Sequence, residues 1–121
     1  MEAMDFEKAI AAHADWKVKL RMAIQAKSAL DVAEVSADNC CMLGKWLHGE
    51  ARLKFAGKPE YSDCLAKHRT FHATAGVVAR TINAGDYDAA TAMLGPGAPY
   101  AAASSDVGTA INRLKRIVVP A

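Results

Sequence analysis

Phe6, Ala9, His13, Trp16, Leu20 and Ala23 follow one another at alternating steps of three and four residues, and Leu30 resumes the series after a longer gap filled by Lys27. That spacing turns one face of a helix inward. With neither Gly nor Pro between about Asp5 and Glu34, it predicts a single long helix there. Ser36, Asp38 and Asn39 then offer capping oxygens for a shorter helix from about Cys40 to Glu50 or beyond. Gly57-Lys58-Pro59 interrupts the pattern, and Pro59 suits the first turn of a third helix. This helix has the clearest seam, Tyr61, Leu65, His68, His72, Ala75, Ala79 and Ile82, and ends at Gly85 as its C-terminal cap. Asp86 caps a short helix through Leu94, and Gly95-Pro96-Gly97 with Pro99 forms a loop. A last helix from about Tyr100 to Val118 turns Ala103, Val107, Ala110, Leu114 and Ile117 inward. The sum is all-α: an antiparallel helical bundle of three long and two short helices, similar to a four-helix bundle.

Composition supports helices. Of the 121 residues, 26 are Ala, the strongest helix former, and β-branched residues are few. The length leaves room for one domain around one core. A net charge of +2, with no basic stripe interleaved with aromatics, gives no expectation of a nucleic-acid partner. Arg113, Lys115 and Arg116 complement the end of a helix dipole instead. No apolar run approaches the ~20 residues that span a bilayer, and the N-terminus carries no signal-peptide pattern. The expectation is therefore a cytoplasmic protein with no membrane attachment. Thiols stay reduced there, and an odd count of three cysteines argues against a disulfide framework. Metal binding, reactivity or burial remain as uses for Cys40, Cys41 and Cys64.

Three histidines occupy positions that should be apolar. His68 and His72 lie one turn apart on the same seam, and His13 lies in the seam of the first helix. A single histidine on such a face is most often a satisfied core residue. Three together are costly to bury unpartnered, and a shared metal removes that cost. A fourth ligand is available in Asn39-Cys40-Cys41-Met42-Leu43-Gly44-Lys45-Trp46-Leu47, where the start of a helix favours a thiolate. Zinc accepts three imidazoles and one thiolate in a tetrahedron. On this reading the thiolate belongs to either Cys40 or Cys41.

The order His13-x-x-Trp16, Cys41-x-Leu43-Gly44-x-Trp46 and His68-x-x-x-His72 resembles the signature of the chemoreceptor zinc-binding family, and the likeness continues through Gly85-Asp86-Tyr87-Asp88-Ala89-Ala90 into the last helix. The resemblance implies zinc held by His13, Cys41, His68 and His72, and so selects Cys41 over Cys40. It further implies a homodimeric helical bundle that acts on bacterial signalling proteins, such as a chemoreceptor or a diguanylate cyclase, in response to zinc or to oxidation of the cysteine. Val18, Ile24, Ile111 and Val118, on the first and last helices, are the exposed candidates for the dimer contact. Gly44 is expected to permit a close backbone approach, and Trp16 and Trp46 to seal the site or simply fill the core. Asp15, Glu60 and Asp63 are candidates to orient an imidazole, His48 reads as a solvated helix residue, and Cys40 and Cys64 read as bystanders. A zinc hydrolase is disfavoured, because four protein ligands leave no position for water and Arg69, Thr70 and Phe71 place no carboxylate between the histidines. A purely structural zinc site is the remaining alternative.

Overall fold

The computed structural model describes residues 4–119. Seven helices follow in order: α1 (Phe6–Ala26), α2 (Val32–Ser36), α3 (Met42–His48), α4 (Glu50–Phe55), α5 (Pro59–Asn83), α6 (Tyr87–Met93) and α7 (Pro99–Val118), with no strand among the described residues. The all-α expectation holds, with four short helices in place of two.

The additional short helices come from two breaks that apolar spacing alone does not show. The first long helix does not reach Glu34. It stops at Ala26 because Lys27 adopts the left-handed conformation (φ 52°), where Lys27 N–H donates to the Ile24 carbonyl and Ser28 N–H to the Ala23 carbonyl. Asp31 then starts α2, its carboxylate accepting the Glu34 N–H at 3.2 Å. The link between them is tied to the far end of α5: Asn83 Oδ1 accepts the Leu30 N–H, and Asn83 Nδ2 donates to the Leu30 carbonyl, both at 2.8 Å. The second break is at Gly49, which divides the expected helix from about Cys40 onward into α3 and α4. The cap of α3 is none of Ser36, Asp38 or Asn39. It is Cys41, whose Sγ accepts the Gly44 N–H at 3.3 Å.

Contacts between elements give their directions. Glu7 pairs with Lys115, so α1 and α7 run antiparallel. Leu30 meets Asn83, Val35 meets His72, and Leu47 meets Tyr61, so the segment containing α2 and α3 descends along α5 in the opposite sense. α5 packs most extensively on α7 and next on α2. The result is an up-down-up-down bundle whose second strut is assembled from short helices. Its core holds Leu20, Leu43, Leu47, Phe71, Ile82 and Leu114. Of the expected inward residues of α7, Ala103, Val107, Ala110 and Leu114 are buried and Ile117 half-buried; Ile111, expected outside, is fully buried.

Candidate metal centre

α1, α5 and the start of α3 meet at one buried point. His13 sits in the apolar seam of α1, His68 and His72 lie one turn apart on the inner face of α5, and Cys41 leads into α3. One donor atom from each of the four lies within 4.8 Å of every other. Cys41 Sγ is 3.2 Å from His68 Nε2 and 3.7 Å from His72 Nε2, and the two Nε2 atoms are 3.1 Å apart. A zinc tetrahedron with bonds of about 2.0–2.3 Å has edges of roughly 3.3–3.7 Å, so the cluster has the size of that ion's coordination shell.

Two of the three rings are turned toward this point by backbone carbonyls, while His68 Nδ1 is buried with no hydrogen-bond partner among the described residues. His13 Nδ1 contacts the Ala9 carbonyl at 2.7 Å, and His72 Nδ1 the Val35 carbonyl at 3.0 Å. The Ala9 carbonyl is one turn back in the same helix. The Val35 carbonyl is free to accept because it lies in the last turn of α2, where carbonyls have no helical partner. With Nδ1–H donating, each ring directs the lone pair of Nε2 inward, which is how protein environments fix metal-binding imidazoles. Asp15, Glu60 and Asp63, expected as orienting acids, make no hydrogen bond to any of these rings. Main-chain acceptors do that work, and they leave no side-chain signature in a sequence.

His13 Nε2 is buried and has no hydrogen-bond partner among the described residues. An acceptor left alone in the interior costs about 1–3 kcal/mol, and a metal ion is the partner this donor set lacks. The electrostatics agree. Burial lowers the pKa of all three histidines: His68, crowded also by His72 and His13, is pushed down to about 2. For His13 and His72, burial outweighs the opposing carbonyl bonds. All three imidazoles are thus held neutral, the form that can bind a metal. Burial raises the Cys41 thiol and outweighs the N–H groups of Gly44 and Leu43 at the helix start, which lower it; a bound cation would favour the thiolate further.

The neighbours divide clearly. Trp16 packs edge-on to His72, with centroids 6.5 Å apart, and closes one side of the site. Trp46 packs instead on Phe6 at 5.4 Å and near Phe55, as a core aromatic. A Cβ at Gly44 would overlap the Asp38 carbonyl oxygen, which confirms the close backbone approach expected there. His48 is exposed and pairs with Asp38 at 3.3 Å. Cys64 is buried, its thiol pushed up to about 12, and Cys40 is exposed; neither joins the cluster.

The chemoreceptor zinc-binding domain family model matches residues 13–79, more than half of the chain. The chain belongs to the chemoreceptor zinc-binding domain family. The match opens on His13 and runs past His72, so it contains all four clustered residues. No curated protein and no solved structure gives a significant match. As a member of this family the chain is a zinc-binding signalling domain, with a three-histidine, one-cysteine group positioned for the ion. No described helix is long and apolar enough to cross a membrane.

Proposed function

We propose that His13, Cys41, His68 and His72 are the zinc ligands and that the site works as a cytoplasmic sensor, not as a catalyst, in bacterial chemotaxis or cyclic-di-GMP signalling. The observation that carries this reading is the convergence of four donors, one of them an orphaned buried nitrogen, with no carboxylate and no fifth position among them. A bound zinc ion supplies the positive charge that keeps Cys41 deprotonated. The three histidines hold position from two long helices, whereas Cys41 is carried by a segment between short ones. It is also the only one of the four that is not fully buried.

Cys41 is therefore where a signal enters, either as exchange of the metal or as oxidation of its sulfur. With hypochlorous acid as the oxidant, the thiolate gains an oxygen and loses two electrons, chloride leaves, and a sulfenic acid remains. A sulfenic acid is a weaker ligand and a different cap for α3, so α3 shifts against α5 and the change passes to a partner. Such a partner is a chemoreceptor or diguanylate cyclase, contacted by a homodimer of this chain.

Two measurements test this. The purified chain carries one zinc, lost or severely weakened in Cys41→Ser, His13→Ala, His68→Ala and His72→Ala and retained in Cys40→Ser and Cys64→Ser. Mass spectrometry after a brief sub-stoichiometric pulse of hypochlorous acid finds Cys41 modified before Cys40, Cys64 or the methionines. Zinc retained in Cys41→Ser overturns the ligand set. An intact Cys41 beside oxidised neighbours overturns oxidation as the signal.

A further inference from the structure

Gly76 stands in the interior of the 25-residue helix α5, one turn beyond His72 on the same face. Glycine is unfavourable in a helix interior, so its place there calls for a packing reason. The reason is α2. A Cβ at position 76 would overlap Ser36 Oγ and lie 2.9 Å from Ser36 Cβ and 3.3 Å from Ser36 Cα. Turning the hydroxyl away relieves the first of these contacts only. The others oblige the end of α2 to withdraw by a few tenths of an ångström. Ser36 Oγ is itself buried without a hydrogen-bond partner among the described residues, so shape and not polarity seats this residue.

Immediately before Ser36 is Val35, whose carbonyl holds His72 Nδ1 at 3.0 Å. In a five-residue helix the two residues move together. We propose that Gly76 and Ser36 are positioning residues for the metal centre: the missing side chain at 76 seats α2 on α5 at the depth where the Val35 carbonyl fixes the ring and tautomer of His72. This inference rests on His72 being a zinc ligand. Removing such an outer partner of a ligating histidine lowers metal affinity by about 10–100-fold.

The test pairs two readouts, zinc affinity by chelator competition and the nitrogen-edited NMR signal of His72 Nδ1–H, taken with and without metal. Gly76→Ala is expected to weaken zinc binding about 10–100-fold and to broaden or shift the Nδ1–H signal. Adding Ser36→Gly to Gly76→Ala removes the two nearest obstructing atoms, leaving only the Cα at 3.3 Å, and restores most of both. Should Gly76→Ala fail to fold, Ser36→Thr crowds the same contact from the other side and is expected to act in the same direction. A folded Gly76→Ala with unchanged affinity and signal, or a double variant that restores neither, overturns the proposal. His72→Ala serves as the reference. If it keeps full zinc affinity, the ligand assignment fails, while the Nδ1–H signal of the metal-free chain still reports on how α2 holds the ring.

Discussion

At the scale of single residues, position 44 tests how the cysteine is placed. The Asp38 carbonyl occupies the space a side chain at 44 would need, and Gly44 N–H caps onto Cys41 Sγ. Gly44→Ala must push the 38–41 segment outward, because the obstacle is backbone and cannot rotate aside. Overpacking of this kind costs about 1–3 kcal/mol. The expected outcome is a lowered midpoint in denaturant together with weaker zinc binding, since the displaced segment carries Cys41, the proposed ligand; unchanged zinc affinity in a folded variant would show that Cys41 tolerates the displacement. This glycine was legible in the sequence as a poor helix residue beside a cysteine, and the three histidines were legible because polar rings interrupted an apolar seam. The carbonyls of Ala9 and Val35 were not legible. A main-chain acceptor is present at every residue, and only the fold determines which one faces a ring.

At the scale of elements, periodicity located the long helices, but apolar spacing could not show the breaks, and the first helix was carried past its end at Ala26. Lys27 fills the gap in the first seam with a long side chain that any helix accepts, and its left-handed backbone has no compositional mark. Asp31 followed three residues later by Glu34 was the available signal, a capping pattern inside what read as a continuous helix. The break matters because it frees α2 to descend along α5 and bring the Val35 carbonyl to His72. Asn83 secures it through two hydrogen bonds to Leu30. Asn83→Ala is expected to cost about 1 kcal/mol, toward the low end for two bonds because the site is exposed, and to speed amide exchange at Leu30. Unaltered exchange there would mean that the link between α1 and α2 is held by packing alone. Cys41 as the cap of α3 was likewise not foreseen, since Ser, Asp and Asn precede it and a sulfur accepts an N–H more weakly than any of them.

At the scale of the whole molecule, the outer face of α1 is the surface where assembly is expected. Of the expected contact residues Val18 is 55% exposed, and Met22 one turn on is 61% exposed; Ile24 and Val118 are half-buried, and Ile111 is buried in the core and unavailable. A homodimer through α1 should therefore weaken in Val18→Asp and in Met22→Asp with the zinc site intact, and sedimentation of the wild type at tens of micromolar decides whether the dimer exists at all. Removing the metal is the broader test, because it separates a sensor from a staple. The residues Leu20, Ile82, Leu94, Ile111 and Leu114 are buried apolar members of the core, so α1, α5 and α7 retain a reason to associate without the ion. The metal-free centre instead leaves three neutral imidazoles crowded together and an orphaned His13 Nε2, a local cost borne by the least secured elements. Those are the five-residue α2, the seven-residue α3 and the segment between them, which depends on Cys41 for its cap and on the pair of His48 with Asp38. Strong chelation is accordingly expected to lower the melting temperature while removing no more far-UV helical signal than α2 and α3 contribute, with increased amide exchange confined to residues 32–48. Global loss of helix on chelation would make the ion a structural staple. Confined loosening is what a sensor requires, because it leaves a stable bundle through which the state of one cysteine can move one strut.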